Sequence, residues 1–301
     1  MQSHRKSASE VEARAAIALL ENAKDFLNAG LNLLFAEKLD RQSVKLAVIS
    51  LQTAVELLVK YRLLQESGLA AIMENLNPGV DIESIRTITF SASIKAVESL
   101  ESFVEWEYNA ILKMAALRNK LIHFSTEVEP EVLKGNCLSL ICSALAMFAK
   151  GQSRDYGEMV DYSTFLSAGN LLVLTSNESY RSEALDAAYD NIDSKAVKYC
   201  YKCKCESLSL RTSDVYFCHC CGFTIDKEVV SFATCAICSA HSMVFYDALN
   251  ITGVSHYGKC MACERFQWVQ ACRDCDRITV TLKPLSKSAC ACLQFDQSNH
   301  L

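Results

Sequence analysis

Fourteen of the sixteen cysteines in this 301-residue chain fall between Cys200 and Cys292, most of them in pairs with two residues between. Such a pair folds into a tight knuckle that turns both sulfurs toward one point. Two knuckles carried by a hairpin then complete a tetrahedral zinc site. Disulfide frameworks have no reason to prefer a two-residue gap. Three units follow from the spacing. Cys200 and Cys203 are followed after fourteen residues by Cys218 and Cys221, and Cys235 and Cys238 after twenty-one by Cys260 and Cys263. Cys272 and Cys275 are followed after fourteen by Cys290 and Cys292. Four cysteines leave no coordination position for water. The expected zinc ions, two or three of them, are therefore structural and supply folding energy that so short a region cannot draw from its core.

The third unit departs from the pattern. Cys290-Ala291-Cys292 is one residue short, so His300 is an alternative ligand. Cys260/Cys263 and Cys272/Cys275 are also close enough in sequence to share one metal. Cys205 and Cys220 are left over and read as small thiols outside the metal sites. With the cysteine count sufficient, His219, His241 and His256 read as surface or loop residues.

A second set of residues suits acid–base chemistry on a phosphate. In Arg118-Asn119-Lys120-Leu121-Ile122-His123, near the end of an expected helix, Asn119 and His123 lie one turn apart with Arg118 beside them. His123 can exchange a proton near neutral pH, Arg118 can hold a scissile phosphate, and Asn119 can fix the imidazole or the backbone. The string resembles the R-N-x-x-x-H motif of HEPN domains. Upstream, the stretch from Leu51 to Leu63 resembles that family's long second helix, with Glu56-Leu57-Leu58-Val59-Lys60 at its centre. The resemblance covers residues from about 10 to 150. It implies an all-helical bundle that forms a homodimer, with RNA bound in a cleft between the two motif helices. It also implies metal-independent endoribonuclease activity, in which ribose 2′-OH attack leaves a cyclic phosphate. By the same resemblance Arg118 and His123 are the catalytic pair and Asn119 their support. Glu56 is a possible contributor, or else an ion-pair partner of Lys60.

The elements that would position these groups are of two kinds, giving an α+β multidomain chain. Residues 9–150 read as a helical bundle. Ser9 and Glu12 form a capping box, and Asp40 caps a second helix that Gly68 stops. Asn77-Pro78-Gly79 is a turn, a short helix follows Ser91 or Ser93, and another covers Tyr108 to His123. Pro130 opens a final helix to about Lys150. Residues 151–195 form an acidic connector in which Leu171-Leu172-Val173-Leu174 suits a strand and Glu183 to Ile192 a helix. Residues 196–301 form tandem zinc ribbons, with strands at Ser207–Arg211, Met243–Tyr246 and Ile278–Leu282.

Composition narrows the function further. The chain is half hydrophobic and carries a net charge of −5. Residues 195–301 hold 12 Lys+Arg against 9 Asp+Glu, but each four-thiolate zinc site adds a net −2, so charge alone does not select nucleic acid. Phe266 and Trp268, with Arg265, Arg273 and Arg277, could stack on bases. The preferred reading is that they pack the small ribbon cores. There is no zinc-hydrolase or deaminase motif and no Gly-rich phosphate loop. Cys137 and Cys142, on an apolar helix, read as core residues. The polar N-terminus and the thiol content point to a cytoplasmic protein that does not enter membranes. Two roles remain. One is a toxin or phage-defence type of ribonuclease whose ribbons recognise RNA or a protein partner. The other is a non-catalytic adaptor.

Overall fold

The computed structural model describes residues 2–74, 86–98, 109, 111–113, 115–119, 129–149, 160–190, 197–211, 214–241, 244–248, 256–272 and 275–284. They belong to two compact units, Met1–Ala184 and Leu185–Leu301. The first is helical, and the second carries the described strands, an α+β layout.

In the first unit α1 (Gln2–Leu34) and α2 (Arg41–Ser67) form the central hairpin. Ala23, Leu27, Leu31 and Leu34 bury one face of α1. Val44, Val48, Leu51, Val55 and Leu58 bury one face of α2. These are the helical spacings legible in the sequence, and each buried leucine contributes about 2 kcal/mol. The hairpin is close at Gly30, where a Cβ would lie 2.7 Å from Leu51. Asp40 caps α2 as expected, its Oδ1 accepting from the Ser43 N–H at 2.8 Å. Gly68 stops it at φ 80°, donating its N–H to the Leu64 carbonyl at 2.9 Å.

Helix α2 is also the one described helix long and apolar enough to cross a membrane by length and composition. Half of its apolar window is buried within the bundle, as in a core helix. It also buries Lys60 and Arg62, which would each cost several kcal/mol if unpaired. Lys60 donates to Glu56 at 2.6 Å and to Thr87 Oγ1 at 3.0 Å, and Arg62 pairs with Glu66.

Next come α3 (Phe90–Glu98), helical residues at 111–113 and 115–119, and α4 (Pro130–Ala149), then α5 (Ala168–Ser176) and α6 (Glu178–Asp190). Pro130 opens α4 as expected. Three expectations fail. Helix α1 begins at Gln2 and runs through Ser9, because no glycine or proline interrupts the stretch before the proposed capping box. Helix α3 begins at Phe90, just ahead of the serines, with Thr89 Oγ1 accepting from the Ala92 N–H at 3.3 Å. Leu171–Leu174 is helical rather than a strand. Ser167 caps α5, accepting from the Asn170 N–H at 3.2 Å, and Asn170 bonds to Asn28 Oδ1 at 2.9 Å. Asn170 and Leu174, one turn apart, are buried while Leu172 and Val173 are exposed, so a single helical face is used. The Asn77-Pro78-Gly79 turn lies outside the described residues.

The second unit holds two antiparallel meanders. The first has β1 (Lys198–Tyr199), β2 (Glu206–Leu210), β3 (Val215–Cys218) and β4 (Thr224–Asp226). The second has β5 (Val230–Ala233), β6 (Val244–Asp247), β7 (His256–Cys260), β8 (Phe266–Ala271) and β9 (Ile278–Thr281). The three expected strands correspond to β2, β6 and β9 within a residue or two.

Candidate metal centres and the Arg118 helix

Every described Cys-x-x-Cys pair sits in a turn next to a strand, and all five have one backbone design. The first cysteine's N–H donates to the carbonyl five residues on, at 2.8–3.0 Å, linking Cys200 to Cys205, Cys218 to Phe223, Cys235 to Ala240, Cys260 to Arg265 and Cys272 to Arg277. The residue after the second cysteine is left-handed in each: Lys204 (φ 59°), Gly222 (φ 73°), Ser239 (φ 58°), Glu264 (φ 58°) and Asp276 (φ 53°). Only Gly222 adopts that conformation without steric cost; the other four each spend about 1 kcal/mol of strain. In the first four knuckles the turn brings both sulfurs into one cluster.

Two groups of four result. Cys200, Cys203, Cys218 and Cys221 lie with their sulfurs mutually within 4.8 Å, as do Cys235, Cys238, Cys260 and Cys263. An ion bound at about 2.3 Å, the zinc–thiolate distance, requires tetrahedral sulfurs about 3.8 Å apart. Cys200–Cys221 and Cys203–Cys218 are separated by 3.7 and 3.6 Å, and Cys235–Cys263 and Cys238–Cys260 by 3.7 and 3.8 Å. These gaps are far longer than a disulfide bond and match the edge of a metal tetrahedron. Both clusters could therefore hold a metal ion.

This arrangement decides the pairing. Cys272–Cys275 cannot share the second cluster's metal, because the Cys260–Cys263 and Cys272–Cys275 knuckles cap opposite ends of β8. The six residues of β8 separate them by about 20 Å. The Cys272–Cys275 knuckle is formed like the others, while Cys290, Cys292 and His300 lie outside the described residues.

Side chains around the sulfurs tune them. The N–H groups of Ile237 and Cys238 donate to Cys235 Sγ at 3.3 and 3.4 Å, and Gln267 Nε2 donates to it at 2.9 Å. Gln267 Oε1 accepts from the Ala236 N–H at 2.8 Å, which locks the amide in place. Burial alone would raise Cys235; the Cys238 and Ile237 N–H groups and the Gln267 amide outweigh it and bring the thiol to about 6. Across the cluster, burial pushes Cys260 up to about 12. In the first cluster, bonds from Cys200, Cys218, Cys220 and Cys221 hold Cys203 below the usual thiol range, while burial raises Cys218. Gln267 was not legible as a ligand support, since nothing in its sequence position marks it.

The leftover cysteines are small thiols outside the described clusters, as expected. Cys205 and Cys220 are both buried, and Cys220 lies against Cys203 and Cys205. His219 lies in the turn after β3. It is buried rather than on the surface, and its Nε2 bonds to Ser209 Oγ at 3.0 Å in the interior of the first ribbon. His241 is exposed as expected, with Nδ1 3.3 Å from Thr234 Oγ1. None of the three histidines enters a described cluster.

The preferred reading of Phe266 and Trp268 as ribbon core also fails. Strand alternation puts Gln267, Val269 and Ala271 on the buried face, where Val269 and Ala271 join Cys235, Val244, Tyr246, Cys260 and Met261. Phe266 and Trp268 point the other way, and Phe266 is 63% exposed.

In the helical unit, Arg118 and Asn119 end the stretch 115–119, and His123 lies outside the described residues. Arg118 Nη1 donates to Asn119 Oδ1 at 3.0 Å. Arg118 is partly buried, and Asn119 is exposed. Glu56 is the ion-pair partner of Lys60, the second of the two roles open to it. Cys137 and Cys142 are buried in α4, and burial pushes the Cys137 thiol up to about 12, so it is a core residue and not a nucleophile.

No family model, curated protein or solved structure matches this chain.

Proposed function

We propose that the protein is a homodimeric, metal-independent endoribonuclease of the HEPN kind, acting in the cytoplasm, whose ribbons hold structural zinc and recognise RNA. The observation that supports it best is the Arg118–Asn119 hydrogen bond within the helical stretch 115–119. Asn119 accepts from the guanidinium, and His123 follows four residues on in sequence. In the reaction, His123 removes the proton from a ribose 2′-OH, the 2′-oxygen bonds to the adjacent phosphorus, and the bond from phosphorus to the 5′-oxygen breaks. Arg118 neutralises charge on the phosphate oxygens, and the leaving 5′-oxygen takes up a proton. Zinc is the proposed occupant of the clusters because an all-cysteine tetrahedral set in a reducing compartment suits it. A toxin or phage-defence role fits an RNA-cleaving dimer of this kind.

The test is cleavage of a mixed RNA pool by the purified protein under brief chelation, beside His123→Ala, with circular dichroism in parallel. Cleavage by the parent that the variant loses, with cyclic phosphate ends, supports the enzyme. No cleavage by a folded dimer sinks it. The second reading, a non-catalytic adaptor, is favoured by one observation, the exposed aromatic side chains of the second ribbon. It predicts RNA or protein binding that is indifferent to His123.

A further inference from the structure

The second meander has one face buried over its sulfurs and one face lined with rings. Cross-strand register sets Phe232, Phe245, Lys259 and Phe266 in one row across β5 to β8. Beside it, Tyr257 and Trp268 are directly opposed on β7 and β8. Side chains opposed in this way share a face.

The two halves of that face differ. Over β5 and β6 it is covered by the first ribbon. Tyr201 stacks on Phe245 with ring centroids 4.9 Å apart and planes 30° apart, and Tyr216 meets Phe232 edge-on at 5.6 Å. Over β7 and β8 Tyr257 and Phe266 are exposed, with Lys259 and Trp268 half-buried beside them. Tyr257 is 62% exposed, and its ring lies 4.1 Å from that of Trp268, centroid to centroid. Lys259 Nζ sits 5.7 Å from the centre of the Phe266 ring.

We infer that the open half, Tyr257, Lys259, Phe266 and Trp268, is a stacking platform for unpaired bases of single-stranded RNA. Three features select that occupant. The covered half already binds by ring-on-ring stacking, so the same face continues as a surface for flat π systems. Its charge is complementary to phosphate: Lys259 lies among the rings, and exposed Arg265 and Arg277 stand at opposite ends of β8. Glu264, at its rim, is engaged by Lys204 of the first ribbon. Bases stack on exposed aromatics regardless of sequence, with cationic side chains following the backbone. Gln270 and Thr279, opposed on β8 and β9, add hydrogen-bonding groups to the same face. The inference deepens the proposed function and rests on it for the choice of RNA.

The experiment uses the full, metal-loaded chain carrying His123→Ala, so that binding is read without cleavage. The probe is fluorescein-labelled single-stranded RNA of mixed sequence, about 12 nucleotides long, compared by anisotropy with the same strand in a duplex. Phe266→Leu and Tyr257→Leu keep apolar side chains but remove the rings, and Phe266→Trp keeps a ring. Metal content and circular dichroism must equal the parent's. If the double leucine variant fails that check, the single variants at these exposed positions are read instead. The expected result is preference for the single strand, a loss of about tenfold or more in the leucine variants, and near-parental affinity in Phe266→Trp. Affinity within about twofold of the parent in folded leucine variants would overturn the platform. So would equal binding of the duplex, or loss of self-association with RNA affinity unchanged, which would make the face a protein contact. Cleavage by the His123 chain is scored separately. Cleavage with ring-independent binding sinks the platform alone, and ring-dependent binding without cleavage sinks the nuclease alone.

Discussion

The helical unit and the ribbon unit are held together by different physics. Of the eleven largest fully buried side chains among the described residues, ten lie in the helical unit and only Phe217 lies in the ribbons. The bundle is stabilised by burial of leucine, tyrosine and phenylalanine along helical faces. The ribbons bury small residues and sulfurs, and four of their five knuckles hold a non-glycine residue in left-handed backbone. Such a unit folds only if something outside its apolar core offsets the conformational cost. Under the proposed function that something is metal held by the four-thiolate clusters, which would over-determine the strained knuckles.

The largest effect should come from removing the metal. Structural zinc contributes about 10–16 kcal/mol. Chelation should therefore expose the amides of β2, β3, β7 and β8 to deuterium exchange while those of α2 stay protected. Protection lost in both units would show that they fold as one, and protection kept in the metal-free strands would break the comparison outright. Alkylation gives a second readout. Cys238 and Cys275 are exposed and should react first once metal is gone, whereas Cys137 and Cys142 should stay unmodified until the helices unfold.

Within the ribbons, substitutions should act on one cluster and not the other. Gly258→Ala would place a Cβ 2.6 Å from Val244 and 2.7 Å from Val269, in the layer above the second cluster. It should cost about 1–3 kcal/mol and release one metal equivalent early, as read by a chromophoric chelator during a thermal ramp. Gln267→Leu removes the amide bond to Cys235 Sγ and leaves the Ala236 N–H without its acceptor. It should weaken the second site by about 10- to 100-fold and leave the first unchanged. Simultaneous release of both metals would mean that the ribbons are one cooperative unit. In the other direction, Ser239→Gly should stabilise the second ribbon by about 1 kcal/mol, by relieving left-handed strain.

The same contrast explains what was legible in the sequence. Knuckle spacing and helix caps are local, so the five Cys-x-x-Cys knuckles, the Asp40 cap and the Gly68 stop could be read directly. Tertiary choices could not. Leu171–Leu174 has strand-like composition, but the Asn28–Asn170 contact and the Ser167 cap make it a helix. Phe266 and Trp268 have core-like composition, yet only the register of β8 against β7 decides which alternating face meets the sulfurs. Gln267 is an ordinary residue whose role exists only because a hairpin brings it to Cys235. The division of β8 between two knuckles settled which cysteines pair, and sequence distance alone had left that open.

The smallest expected effect separates the units by pH. Protons compete with metal for every thiolate, so acid should dismantle the ribbons cooperatively and spare the helices longer. Helix α2 carries a weaker acid dependence of its own. The Ser43 backbone N–H, first among several contacts, holds the Asp40 carboxyl below its ordinary value. A carboxyl depressed in the folded state stabilises above its unfolded value, and that contribution is lost as pH falls through the folded value. Asp40→Asn keeps a neutral acceptor at the cap. It should remove this dependence, while Asp40→Ala should lower the helical transition by roughly 2 °C at neutral pH. As pH falls through the folded value of the Asp40 carboxyl, the parent and Asp40→Ala transitions should converge, with the metal-release midpoint unaffected by either substitution. A shift of that midpoint in the Asp40 variants would mean that the cap and the thiolates report on one folding unit.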